Sequence, residues 1–80
     1  MLQGVIFGRI VKSGVLDRSK QNKANLNFAD IYVEGDGGTH RVFKVPDSYI
    51  NNFEFGKEVT LLINIYVGER EYLSYVKEVR

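Results

Sequence analysis

The chain has 80 residues, 44% hydrophobic and 26% charged, with a formal net charge of +1; this is enough for one small core and too little for a second domain or a deep catalytic cleft, so residues 1–80 read as a single folded domain. Cys is absent, which fits a reducing compartment, closes the disulfide route to stability and makes homodimerisation the expected way for so small a core to gain support. No run reaches the roughly 20 apolar residues of a bilayer span, and Met1-Leu2-Gln3 does not start a signal peptide, so a cytoplasmic protein without a membrane partner is expected.

Leu2 to Lys12 is dense in Val, Ile and Phe and predicts a long first strand, with Gly4 and Gly8 serving bends or bulges that a helix would tolerate poorly. Ser13 to Lys23 then reads as a flexible basic loop carrying Arg18, Lys20 and Lys23. Asn25 to Glu34 alternates, placing Ala29, Ile31 and Val33 on a core face and Leu26, Phe28, Asp30 and Tyr32 on the opposite face. Glu34-Gly35-Asp36-Gly37-Gly38 supplies the positive-φ positions of a tight hairpin. Thr39 to Val45 is the third strand; one register turns Phe43 and Val45 inward and Lys44 outward, and the opposite register is left open by the sequence. Pro46 ends it, and Pro46-Asp47-Ser48 reads as a short helix start with Asp47 or Ser48 at the cap.

Past Phe55-Gly56-Lys57, the run Glu58 to Val67 puts Val59, Leu61, Ile63, Ile65 and Val67 on one side and Thr60, Leu62, Asn64 and Tyr66 on the other. Gly68-Glu69-Arg70 turns the chain, and Glu71 to Val79 forms the last strand, with Leu73 and either Val76 or Val79 expected in the core. Phe53 and Phe55 are expected to plug the barrel's lower end. Five strands with a short helical or irregular connector between the third and fourth predict an all-β, five-stranded Greek-key barrel of the oligonucleotide-binding type, in which the second and third strands and adjacent loops commonly form the ligand face. An SH3-like barrel is the structural alternative.

Charge is distributed unevenly. Between Met1 and Ala24 there are five cations, Arg9, Lys12, Arg18, Lys20 and Lys23, against the single anion Asp17, enough for a local positive field. Lys and Arg neutralise phosphates while unpaired bases stack on aromatic faces, so a basic loop beside outward aromatics points to a single-stranded nucleic acid. Arg18, Lys20 and Lys23 are the phosphate candidates on the loop, Arg9, Lys12, Lys44 and Lys77 extend the track, and Leu26, Phe28, Tyr32 and Tyr72 are the base-contacting candidates. Tyr72 and Tyr75 cannot both be oriented from periodicity. Catalysis has little support: His40 is the sole histidine, Asp30, Glu34 and Asp36 straddle a strand and a turn, and Gly35-Asp36-Gly37-Gly38 lacks the Lys-Ser/Thr of a phosphate loop. No enzyme activity, metal, cofactor or small-molecule substrate is expected.

Val5-Ile6-Phe7-Gly8-Arg9-Ile10 resembles the opening strand of bacterial single-stranded DNA-binding proteins. The basic wing, Leu26-Asn27, Tyr32-Val33-Glu34, Phe43-Lys44-Val45, Val67-Gly68, Leu73 and Lys77 resemble the helix-destabilising proteins of filamentous phages, the gene V type. The resemblance implies a homodimeric, sequence-tolerant coat on single-stranded DNA, with RNA sharing the same chemistry, during phage, plasmid or mobile-element replication. This chain departs from that pattern at Arg70 and Ala24, where the family carries aromatics; Arg70 is retained as a contact, and Phe28, Tyr32 or Tyr72 is expected to take over the stacking. The rival expectation is an assembly module in which Leu26, Phe28, Leu62 and Tyr66 form a subunit interface.

Overall fold

The computed structural model describes residues 2–80. Five strands, β1 (Leu2–Leu16), β2 (Leu26–Val33), β3 (Gly38–Phe43), β4 (Glu58–Val67) and β5 (Tyr72–Val79), close into a barrel in the order β1-β2-β3-β5-β4. A short α-helix, α1 (Asp47–Ile50), links β3 to β4. This is the five-stranded barrel with a short connector expected from the sequence. No helix among the described residues is long and apolar enough to cross a membrane.

Closure depends on β1, which is long enough to serve two neighbours. Leu2 to Arg9 pairs with β4 from Ile65 to Glu58, and Arg9 to Leu16 pairs with β2 from Tyr32 to Leu26. The strand must coil sharply where it passes from one partner to the other, and Gly8 sits there: a Cβ built on it would lie 2.3 Å from the Tyr32 carbonyl oxygen and 2.7 Å from Ile31 Cγ2. Only a residue without a side chain lets the two backbones approach so closely. The register then slips by one residue between Ile10 and Lys12. At this bulge Ile10 turns to the β4 approach, its N–H donating to the Lys57 carbonyl at 2.8 Å while its own carbonyl accepts from Gly56 N–H at 2.7 Å.

The core contains Ile6, Ile10, Ala29, Ile31, Val42, Val45, Phe53, Val59, Leu61 and Ile63, with Val33, Ile50, Ile65, Val76 and Val79 packed at its margin. The alternations read in β2 and β4 therefore hold through Ile65; Val67 is exposed. Phe53 plugs one end of the barrel, where Ser13 Oγ donates to its carbonyl at 2.7 Å.

Several expectations are corrected. β1 continues to Leu16, so Ser13 to Leu16 belong to a strand and the basic loop is confined to residues 17–25. Phe55 does not plug the barrel: it is 84% exposed, because the Glu54–Lys57 turn, with Gly56 at φ +87° and its two bonds to Ile10, directs the ring away from the core. Val42 rather than Phe43 faces inward. Lys44 adopts φ +62°, and this left-handed step resets the alternation so that Val45 also points in. The α1 cap is Pro46, with no side-chain cap bond; Asp47 instead accepts from Asn27 Nδ2 at 2.7 Å, and the same amide donates to the Val45 carbonyl at 2.7 Å. Leu73 is exposed rather than in the core. A register shift opposite Leu62/Ile63 leaves Lys77 unpaired in β5, so Ser74, Val76 and Val79 face inward at a spacing that no uninterrupted strand would allow.

Candidate nucleic-acid interface

The outer wall of the barrel carries a row of side chains fixed by strand register. Gly14 of β1 lies opposite Phe28 of β2, Phe28 opposite Phe43 of β3, Phe43 opposite Tyr75 of β5, and Tyr75 opposite Asn64 of β4. Outward positions on neighbouring strands lie within side-chain reach, so aromatics placed in this way meet. The Phe43 and Tyr75 ring centroids are 6.1 Å apart, and Tyr66, two residues along β4, sits edge-on to Tyr75 at 5.4 Å. Lys44 Nζ stands 4.7 Å from the Tyr75 centroid, a position set by the left-handed backbone at Lys44 and by its N–H, which donates to the Asn27 carbonyl at 2.9 Å. The result is an aromatic platform across β3, β5 and β4 with a cation at its edge.

β3 and β5 are joined at the single pair Phe43–Tyr75. Beyond it the strands part, leaving a groove lined by Thr39, Arg41, Phe43, Tyr72 and Leu73 among others. Tyr72, a candidate from the sequence, opens into this groove, and Arg70 is exposed in the adjacent β4–β5 hairpin, which the Gly68 N–H to Glu71 carbonyl bond closes at 2.7 Å.

On β2 the candidates separate. Leu26 is half-buried at the strand's start, opposite Leu16. Phe28 lies on the outer face as read from alternation, yet it is only 8% exposed. One edge of its ring contacts Gly14, where an added Cβ would come within 3.3 Å of Cε1, and the Arg41 guanidinium stands over it at 4.4 Å. An open Phe28 stacking face is therefore corrected to a covered one. Tyr32 is exposed at the far end of β2, opposite Arg9 and Thr39, remote in register from the Phe43–Tyr75 platform.

The cations likewise differ in what holds them. Arg18 Nε donates to the Ala24 carbonyl at 2.9 Å, and Asp17 accepts from Ser19 N–H at 2.9 Å as the chain enters a 3-10 turn over Ser19–Gln21. The Ser19 bonds hold the Asp17 carboxyl below its ordinary pKa. Arg18 thus braces the loop, while Lys20 and Lys23 are exposed and make no side-chain hydrogen bond or ion pair among the described residues. Arg9 lies 3.9 Å from Glu58, a separation at which an exposed pair contributes little. Lys12 is exposed beside the β1 bulge, opposite Asp30, and Lys77 is exposed at the β5 bulge. Two of the carboxylates have partners of their own: Asp36 meets His40 Nε2 at 2.6 Å, and Asp30 receives a two-pronged bond from Arg41 at 2.8 and 3.1 Å. That pairing raises the Arg41 pKa further above its ordinary value.

Phe43, Tyr66, Tyr75 and Arg41 are the residues that sequence reasoning did not place in the site. Tyr66 was legible as outward from the β4 alternation, but Tyr75 and Phe43 depended on the Lys77 bulge and the Lys44 backbone. Compared with known proteins, the chain matches no family model, no curated protein and no solved structure.

Proposed function

We propose that this protein is a sequence-tolerant single-stranded DNA-binding protein, a binder and not an enzyme, that coats or protects single strands during phage, plasmid or mobile-element replication in the cytoplasm. The observation that carries the reading is the Phe43–Tyr75–Tyr66 platform with Lys44 at its edge. Stacking on such rings is sequence-tolerant because every base has a π-face, and each stacked base contributes about 1–3 kcal/mol. Lys20 and Lys23 on the β1–β2 loop supply phosphate contacts, as do Lys12 and Arg70 at the margins. The test is fluorescence anisotropy with labelled oligo-dT against RNA and duplex of equal length: salt-sensitive preference for the single strand is expected, and absence of binding at low salt would remove the reading. Equal affinity for RNA would widen the ligand to single strands of both kinds.

A second surface favours self-association, the feature shared with the assembly-module reading. Val5 and Phe7, 59% and 60% exposed, stand side by side on the outer face of β1, with Leu62 of β4 opposite Val5. Exposed apolar side chains grouped in this way suit a contact surface, and the homodimer proposed here forms through them. Sedimentation of wild type and Phe7→Glu checks this: a dimer lost in the variant is expected, and a wild-type monomer at high concentration would refute it.

A further inference from the structure

Arg41 combines three features that an ordinary exposed ion pair lacks. Its Nε and Nη2 both donate to the Asp30 carboxylate, at 2.8 and 3.1 Å, so the plane of the fork is fixed. Its Cζ stands 4.4 Å from the Phe28 ring centroid, so one side of the group is backed by an aromatic face. The Arg41 side chain is nonetheless 45% exposed, whereas Asp30 retains only 16%. The carboxylate is tucked beneath and the guanidinium is presented outward.

Register places this group beside the platform. Arg41 and Phe43 are two residues apart on β3 and share its outer face, roughly 7 Å apart along the strand, and both line the groove between β3 and β5. A guanidinium plane accepts a stacked base much as an aromatic ring does, and one already immobilised loses less side-chain freedom on binding. Phe28, buried underneath, cannot be reached by a base except by displacing Arg41. Resting on the single-strand reading above, we propose that Arg41 is itself a stacking surface for an unpaired base, a plane held in place by Asp30 and Phe28, rather than a phosphate contact or a mere cover for the ring.

The test pairs Arg41→Lys with two probes, an oligo-dT and an abasic oligomer of the same length that keeps every phosphate and lacks every base. Lysine retains the charge, a bond to Asp30 and the contact with Phe28 but has no plane. The expected result is an affinity for oligo-dT lowered about tenfold, with the salt slope and the abasic affinity unchanged. Unchanged oligo-dT affinity, or equal losses on both probes, would overturn the proposal. Should Arg41→Lys not fold by circular dichroism, Asp30→Asn frees one prong of the fork and is expected to weaken oligo-dT selectively as well; no selective loss there would overturn it. Failure of wild type to bind oligo-dT at all would instead remove the single-strand reading itself.

Discussion

Replacing Lys20 and Lys23 together by Ala isolates the phosphate contribution of the β1–β2 loop, because these two side chains carry no structural bond while Arg18 braces the loop through the Ala24 carbonyl. Each neutralised phosphate of a single strand contributes about 0.7 to the slope of log affinity against log salt, so losing two contacts should flatten the slope by about 1.4. Between about 50 and about 200 mM salt, that difference means the wild type loses about sevenfold more affinity than the variant. Anisotropy titrations with oligo-dT at several salt concentrations measure it, with Lys57→Ala, at the turn before β4, as the control that leaves the slope in place. Thermal unfolding of the double variant should match wild type. An unchanged slope, or the same flattening in the Lys57 control, would refute the assignment of the loop to the strand.

Gly8→Ala should be among the most destabilising single changes, since its Cβ would meet the Tyr32 carbonyl oxygen at 2.3 Å; a cost of about 2–3 kcal/mol lowers Tm by about 10–20 °C in a domain of this size, read by circular dichroism. Gly14→Ala, with its nearest contact at 3.3 Å on the edge of the Phe28 ring, should cost clearly less in the same measurement. Phe55→Ser should change stability by less than about 0.5 kcal/mol, because the ring leaves little of its surface in the core; a large loss would contradict its exposed placement. Asp17 is held below the ordinary pKa of an aspartate by the bonds from Ser19. A carboxylate with a depressed folded pKa orders its surroundings above the unfolded value, and the effect is lost as pH falls through the folded pKa. The Ser19 amide resonance should therefore titrate with a midpoint below the ordinary aspartate pKa, and a midpoint at or above it would refute the bond between Asp17 and the Ser19 N–H.

What the sequence revealed of this fold followed local periodicity. β4 was legible to its ends because Val59, Leu61 and Ile63 alternate without interruption, and the Gly35–Gly38 hairpin because its turn chemistry is local; Gly35 and Gly37 do take positive φ. The orientation errors in β3 and β5 sit where barrel closure imposes a non-local break: the left-handed Lys44 and the extra residue at Lys77. Each shifts which side chains face outward by one position, and neither is dictated by the residues immediately around it. The candidate site suffered accordingly. Lys20, Lys23 and Lys44 were legible because charge is visible without knowing register, whereas Phe43 and Tyr75 could not be oriented, and the Arg41 that covers the outward-facing Phe28 is placed there by cross-strand register.

The central claim is that the Phe43–Tyr75–Tyr66 platform binds unpaired bases. Tyr66→Ala tests it most directly, because Tyr66 is the most exposed of the three and lies at the platform's edge, so its removal spares the core. Anisotropy with oligo-dT at fixed salt should show affinity reduced by about 1–3 kcal/mol, with the salt slope intact. Affinity equal to wild type in a folded variant, or a loss confined to the slope, would contradict the account.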